Sequence, residues 1–349
     1  MTLANVWFWI AGLTFAVYAM LDGFDLGVGL IQPLVAKSPK ERQLLSASIG
    51  PVWDGNEVWL LAAGGTLVFA FPKLYAMGLS GLYLPVTILL WLLAFRALGI
   101  EMRHHIEHPI WEQIWSVAFA GASLLVALFL SVALGNLVRG VSIDAEGHFF
   151  AALWTDFGVG EDTGILDWYT LSVGVLGVLS LGRHGALWIA HRTEGEPSAR
   201  ARVLAERVGW AVLVVGAAVT AATTVVQPAM LANLKARPWG SMFPLIAVGS
   251  LVVSQLFARR GEWKRAFQAS MAFIVGAIGN AMFGVFPNVL PARVPERSLT
   301  AAAAATNDAG LSMGFVWWVP GMLLATGYFV HTYRRLPKSL SVADLDLEH

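Results

Sequence analysis

Nine long apolar segments constrain this chain more than any other feature of its sequence. A helix needs about 20 mostly apolar residues to cross the roughly 30 Å hydrocarbon core of a bilayer. Segments of that kind lie near residues 6–34, 51–72, 75–96, 115–138, 167–191, 208–228, 241–258, 266–287 and 313–333. The sequence therefore predicts an all-α, polytopic integral membrane protein with nine transmembrane helices in one bundle.

The composition excludes most other classes of protein. Of the 349 residues, 57% are hydrophobic and only 13% are charged, whereas a soluble domain carries about 25% charged residues. Lys and Arg number 23, as do Asp and Glu, so the net charge is zero. Such a chain does not fit nucleic-acid binding. Because there is no cysteine, disulfides, cysteine-ligated zinc and iron–sulfur clusters are excluded.

The basic residues predict how the chain sits in the membrane. Most of the 23 Lys and Arg residues follow the first, third, fifth and seventh predicted spans or lie in the C-terminal tail. By the positive-inside rule, the N-terminus is then outside and the C-terminus is cytoplasmic. We expect one transmembrane domain, residues 1–336, followed by a short, mobile cytoplasmic tail, residues 337–349.

Two acidic residues lie inside the first predicted span. Asp22 and Asp25 are three residues apart and so share a helix face, and they fall in the inner half of the bilayer. Gly23 and Gly27 beside them would let another helix backbone approach closely. A charge at this depth is costly and usually marks an ion or proton pathway. A helix-packing motif, in which the acids only bond neighbouring helices, is the alternative.

The second predicted span opens on a cluster of polar residues between two indoles. Asp54 and Glu57 are again three residues apart, Asn56 lies between them, and Trp53 and Trp59 flank the group. The residues before it, 38–41, read as a capping box, so a helical lead-in is expected from about residue 39 with a kink at Pro51. Four carboxyls on two adjacent spans predict a hydrated proton entry. Acids placed near a helix N-terminus by its dipole are the alternative.

The remaining polar residues are weaker signals. Arg183 and His184 lie within the fifth span and need a polar partner, for which the acids of the first two spans are candidates. A haem held between His191 and His331 stays an alternative. A solvated loop cluster is the favoured interpretation of three further histidines, His104, His105 and His108. No motif for a nucleotide site, a catalytic triad or a zinc protease is present.

Two of these motifs carry a family resemblance. The sequences LDGFDLGVG over 21–29 and GPVWDGNEVWL over 50–60 resemble, in order, spacing and position, subunit II of the cytochrome bd ubiquinol oxidases. Shorter family-like sequences occur at 95–96, 135–140 and 286–291. The resemblance covers the nine-span layout and is strongest over residues 1–140. Residues 296–316, with their run of alanines, depart from the family pattern.

The resemblance implies a subunit of a bacterial inner-membrane quinol oxidase. A homologous subunit I would carry two b-type haems and one d-type haem, while this chain would bind no haem or metal and hold no catalytic residue. The complex would oxidise ubiquinol or menaquinol and reduce O₂ to water with cytoplasmic protons, generating a proton-motive force without pumping. A small single-span accessory subunit often joins such complexes. In some members, subunit II also holds a structural quinone and an apolar O₂ path.

The resemblance also assigns roles to individual residues. It implies that Asp54 contributes to the cytoplasmic proton channel at the interface with subunit I, and that Asp22 and Asp25 support that polar region. Glu57, an amide in some relatives, would join the same pathway. The remaining motif residues would shape the motif and its interface, namely Trp53, Trp59, Gly23, Gly27 and Asn56. The alternative function is a proton-coupled secondary transporter, for which inverted repeats would be expected.

Overall fold

Long helices make up most of the chain. The computed structural model describes residues 2–106, 108–337 and 339–345. The α-helices of this part are α1 (Leu3–Val35), α2 (Pro39–Ile49), α3 (Trp53–Ala70), α4 (Pro72–Gly81), α5 (Tyr83–Glu101), α6 (Pro109–Arg139), α7 (Trp168–Arg192), α8 (Glu196–Val226), α9 (Ala229–Ala236), α10 (Met242–Arg259), α11 (Trp263–Val285), α12 (Ala301–Ala304), α13 (Asp308–Arg335) and α14 (Val342–Leu345). Short 3-10 turns cover Met102–His104, Pro238–Ser241 and Pro295–Arg297, and β1 (Asn288–Leu290) pairs antiparallel with β2 (Leu299–Thr300).

The predicted all-α, multi-span architecture is confirmed. Within the described ranges, eight helices are long and apolar enough to cross a membrane: α1, α5, α6, α7, α8, α10, α11 and α13. The pair α3 and α4, bent by 118°, supplies a ninth candidate. The predicted orientation of the termini stays a prediction.

The third span lies further along the chain than its predicted range of 75–96. Pro72 begins α4 in a new direction, because proline fits the first turn of a helix but cannot continue a preceding one. Residues 72–81 therefore belong to α4, and the span itself is α5. Leu74 and Met77 of α4 pack beside Phe149 in the long 140–167 connection, at one end of the bundle. Arg96, the last residue of the predicted third span, lies well inside α5 and is fully buried.

The segment before α3 forms a separate helix. Ser38 caps α2, its hydroxyl accepting a hydrogen bond from the backbone N–H of Glu41, and Pro39 follows at the first helical position. The carboxylate of Glu41 accepts from the backbone N–H of Lys37, one residue before the position that a strict capping box requires. At Pro51 the chain breaks into two helices rather than kinking within one.

α1 is the central helix, packed against α3, α6, α7 and α11. Its closest neighbour is α7, because Gly27 faces Gly185 backbone to backbone. A Cβ atom added at Gly27 would lie 2.7 Å from the backbone nitrogen of Gly185 and closer still to the carbonyl oxygen of Leu181. Only glycine allows two backbones to approach so closely.

The described part of the tail is docked, which differs from the mobile tail predicted. Leu340 exchanges backbone hydrogen bonds with Arg192 and Glu194, at the start of the α7–α8 connection. α14 packs against α2. Residues 338 and 346–349 of the predicted tail lie outside the described residues.

An ion pair fixes α2 against α8 at the same end of the bundle. The Arg200 guanidinium lies 2.6 Å from the Glu41 carboxylate and also donates to the carbonyl oxygen of Val35. Partial burial opposes ionisation of Glu41, but hydrogen bonds from Lys37 and Arg200 outweigh it and lower the pKa of Glu41 below its usual range.

Candidate functional site

A fully buried ion pair joins α1 to α5. The two terminal nitrogens of Arg96 donate to the two carboxylate oxygens of Asp22, at 2.5 and 3.1 Å. Both side chains are completely shielded from solvent. The bidentate geometry is the strongest form of a guanidinium–carboxylate contact, and a buried charge requires such a partner.

Asn56 is the centre of a second set of contacts around Asp25. Its amide nitrogen donates to Asp25 Oδ2 at 2.7 Å and to the carbonyl oxygen of Leu21 at 3.3 Å. Its amide oxygen accepts from the hydroxyl of Tyr333 at 2.8 Å. Asp25 Oδ1 is buried and has no hydrogen-bond partner among the described residues. One acceptor oxygen thus faces the interior of a polar network that joins α1, α3 and α13.

Glu57 connects the buried pair to the surface of α3. Its carboxylate lies 3.5 Å from Arg96 Nη1, and its side chain keeps 23% of its accessible surface. Asp54, one helical turn earlier, is exposed and makes no hydrogen bond or ion pair to the part of the chain described here. The acids therefore range from exposed Asp54, through partly exposed Glu57, to buried Asp22 and Asp25, and among the described residues the guanidinium of Arg96 pairs with Asp22 and Glu57.

Asp54 lies on an exposed apolar face of α3. Val58 and Leu61 follow it at the spacing of one helix face, and they are 51% and 73% exposed. α13, beside α3, buries only Leu311 and Gly314. A carboxyl on a face that met only lipid would be costly, so the arrangement suits contact with another protein.

The remaining motif residues have packing roles. Trp59 is nearly buried and lies beside Phe329 of α13, with 5.6 Å between ring centroids. Trp53 packs at the edge of the core around α1, α2 and α7. A Cβ at Gly23 would meet the end of the Leu181 side chain at 2.9 Å. Gly23 and Gly27 therefore both face α7, but only Gly27 meets backbone.

Arg183 and His184 do not pair with the acids of the first two spans. Arg183 donates to the side chain of Gln255 at 3.1 Å. His184 contacts the hydroxyl of Ser270 at 2.6 Å and the carbonyl oxygen of Met20 at 3.1 Å. Neutral groups from α10, α11 and α1 thus contact these two side chains, and Arg183 Nε is buried without a hydrogen-bond partner among the described residues.

The histidines do not form a metal centre in the described part of the chain. No group of three or more His, Asp or Glu residues there could hold a metal ion. His191 lines a cavity beside the α10–α11 turn, whereas His331 is exposed on α13. His105 and His108 are exposed, as the loop interpretation predicted, and the side chain of His104 lies outside the described residues.

Sequence reasoning missed two members of the network, Arg96 and Tyr333. Arg96 stands at the end of an apolar run, where a basic residue is typical of a loop that flanks a membrane span. Its depth becomes visible only once α4 is recognised as a separate helix. Tyr333 is far from the motif in sequence, and an aromatic residue near the end of a span is typical of the membrane interface. No sequence signal separated it from other interfacial aromatics.

Comparison with known proteins points to one family. The sequence profile described as "Cytochrome bd terminal oxidase subunit II" matches residues 3–336. The chain is 30% identical to "Cytochrome bd ubiquinol oxidase subunit 2" of Bacillus subtilis, over 89% of each protein. It is 29% identical to "Cytochrome bd-I ubiquinol oxidase subunit 2" of Escherichia coli K12, over 91% of this chain and 89% of that one.

Two further comparisons agree. "Probable cytochrome oxidase subunit 2" of Haemophilus influenzae is 28% identical, covering 95% of this chain and 93% of the relative. A chain of the bd oxidase structure from Geobacillus thermodenitrificans superimposes with a TM-score of 0.75 at 19% identity, over 96% of this chain and 98% of that one. At that identity the likeness concerns the fold alone.

Proposed function

The chain belongs to the family of cytochrome bd terminal oxidase subunits II, and from this premise we propose that it supplies a cytoplasmic proton pathway to a haem-bearing subunit I. As a member of this family it is a multi-span bacterial inner-membrane protein and one subunit of an oxidoreductase complex. Its matches across residues 3–336 leave the transporter alternative without support.

The graded exposure of the four acids carries the proposal. A proton pathway needs groups that take up and release a proton, and carboxyls do both. Asp54 would pass protons to subunit I at the face of α3 that the partner covers, and Glu57 would connect Asp54 to the buried acids behind it. Arg96 keeps its proton and instead holds Asp22 in place. The unpartnered Oδ1 of Asp25 leaves room for a water or a proton in the network.

Subunit I is the proposed occupant of the exposed face formed by α3 and α13. It would cover Asp54 and the apolar residues beside it, which would otherwise leave a carboxyl against lipid. By the family resemblance, that partner holds two b-type haems and one d-type haem, which supply the redox chemistry of quinol oxidation and O₂ reduction. Protons for water formation would come from the cytoplasm, without pumping. A small single-span subunit would complete the assembly, with the N-terminus of this chain outside.

An apolar cavity suits the structural quinone that some family members hold. The cavity, of about 370 Å³, lies between α1, α10 and α11 and is lined by aromatic and sulfur-containing side chains, including Trp9, Trp239, Phe243 and Met282. The indole N–H of Trp9 is buried and has no partner among the described residues. It could donate to a quinone carbonyl, so the residues fit the group. The same apolar interior would carry O₂, which partitions into lipid.

Replacing Asp54 by Asn tests the proton pathway. We expect the complex to assemble normally, because Asp54 makes no hydrogen bond or ion pair to the described residues of its own chain. Quinol-dependent O₂ uptake should slow by an order of magnitude or more, since an amide cannot relay a proton. The matched control is Glu101→Gln, which removes an exposed acid from the end of α5. Wild-type turnover with normal proton uptake in Asp54→Asn would contradict the proposal.

A further inference from the structure

A cavity lined mostly by polar and charged residues lies at the end of the bundle opposite α4, separate from the carboxylate network. It has a volume of about 460 Å³ and opens between the end of α7, the first turns of α8, the α10–α11 turn and the docked tail. Its size falls within the usual range for small-molecule sites. We propose that this cavity binds a phosphate group, either in the headgroup of an anionic phospholipid or as a free phosphate.

Two cations in the cavity have no anionic partner among the described residues. The Nε atom of Arg202 is buried and makes no hydrogen bond within the described part of the chain. Its guanidinium lies over the ring of Trp263, with 5.5 Å from Cζ to the ring centroid, which fixes its position without neutralising it. Lys264 lines the same cavity and makes no hydrogen bond or ion pair to the described residues. Together they present two positive charges and several free N–H donors, which is what a phosphate group requires.

The acids that line the cavity have partners of their own. Glu262 pairs with Arg265, and Glu194 accepts a hydrogen bond from the hydroxyl of Ser339 at 2.6 Å. The charge of Glu262 is therefore offset locally, and Glu194 is held by the tail. His191 adds two further ring nitrogens to the lining. The cavity keeps an excess of positive charge.

The tail helps to build this cavity. The backbone pairing of Leu340 with Arg192 and Glu194 places Ser339 on the lining. The site is therefore assembled from four separate parts of the chain rather than from one flexible loop. A site held in this way loses little conformational freedom on binding.

The position of the cavity suits a lipid headgroup. Helices α7 and α10 end beside it, and α11 begins there with Trp263, a residue type typical of the membrane interface. From this level, α8 and α10 expose Trp210, Val214 and Leu256 along the spans, an apolar surface for acyl chains. Basic pockets between helices on the cytoplasmic side recognise anionic headgroups. The proposal rests on the predicted orientation, in which this end of the bundle is cytoplasmic, and is independent of the proton pathway.

Native mass spectrometry of the intact, delipidated complex tests the proposal. The complex is titrated with dioleoyl phosphatidylglycerol, dioleoyl phosphatidylcholine or inorganic phosphate, and bound molecules are counted. We expect wild-type complex to retain phosphatidylglycerol in preference to phosphatidylcholine. The double variant Arg202→Gln/Lys264→Gln should bind it about 30-fold more weakly, on the basis of about 1 kcal/mol for each cation near an anionic headgroup. The single variant Lys264→Gln, at an exposed position, should lose about fivefold.

The control is Arg260→Gln, which removes a charge from the exposed end of α10, outside the cavity. It should bind phosphatidylglycerol as the wild type does. If inorganic phosphate at millimolar concentration displaces phosphatidylglycerol, free phosphate is identified as the occupant. If it does not displace phosphatidylglycerol, the lipid is identified as the occupant. Equal binding by wild type and the single Lys264 variant would overturn the proposal, as would an equal loss in Arg260→Gln. Melting temperatures measured without added lipid show whether each variant is folded.

Discussion

The contact between α1 and α7 predicts a steep difference between two neighbouring glycines. Gly27→Ala would place a methyl group against the backbone of α7, whereas Gly23→Ala would place it against the end of the Leu181 side chain. Backbone atoms of a packed helix cannot move alone, but the end of a leucine can rotate. We therefore expect Gly27→Ala to impair folding and assembly, and Gly23→Ala to have a small effect.

The distances give the size of the effect. The new Cβ at position 27 would lie 2.7 Å from the nitrogen and 2.8 Å from the Cα of Gly185, whereas carbon contacts are usually about 3.5–4.0 Å. The two helices would have to separate by about 1 Å. A gap of that size removes a quarter to a half of the dispersion energy at each contact along the interface. Overpacking typically costs about 1–3 kcal/mol, and we expect the upper end of this range because both surfaces are backbone.

Thermal unfolding of the complex, purified through a tag on this chain, measures the difference. Circular dichroism of the helices gives the melting temperature, and the yield of complex reports assembly. Gly249→Ala on α10 is the matched control, since a Cβ there meets no atom of the described residues within 4 Å. Equal stability of the Gly27 and Gly23 variants would refute the backbone contact as the reason for glycine at position 27.

Three further predictions concern the network and the inner surface. Arg96→Gln should destabilise the complex by about 3–5 kcal/mol, because it leaves buried carboxyls unpaired. In thermal unfolding, the double variant Arg96→Gln/Asp22→Asn should regain part of the lost stability. If it regains none, the pairing of Arg96 with Asp22 is contradicted. Tyr333→Phe should cost about 1 kcal/mol in the same assay by removing the hydrogen bond to Asn56, and an unchanged melting temperature would argue against that bond. Because Glu41 has a lowered pKa in the folded protein, its stabilisation of α2 should be complete above its ordinary pKa of 4.5 and lost as the pH falls further. The rate of hydrogen exchange in α2, corrected for intrinsic rates, should therefore rise below pH 4.5 in wild type but not in Glu41→Gln.

The sequence predicted the spans well because the length of an apolar segment can be counted directly along the chain. The first span and its acids were placed correctly, since a run of apolar residues long enough to cross a bilayer has few other uses. The third span was misplaced because apolar composition continues across the turn at Pro72, where the chain changes direction. Proline was the available signal, but its effect depends on where the preceding helix ends.

The partners of buried polar residues could not be predicted in the same way. The sequence shows that Asp22 and Arg183 each need a partner, but both occur in spans of similar length and composition. Which pair forms depends on how the helices are arranged and rotated about their axes. The structure pairs Asp22 with Arg96 and gives Arg183 the neutral side chain of Gln255. The roles of Asp54, Glu57 and the buried acids in proton transfer stay a prediction.

A redox spectrum of the mildly solubilised complex, purified through a tag on this chain, tests the central claim most directly. The account predicts that a second, larger subunit co-purifies, that b-type and d-type haem bands appear on reduction, and that quinol drives O₂ uptake. A colourless single chain without oxidase activity would contradict it. Haem bound to this chain alone would show that the histidines, rather than the carboxylate network, are its functional residues.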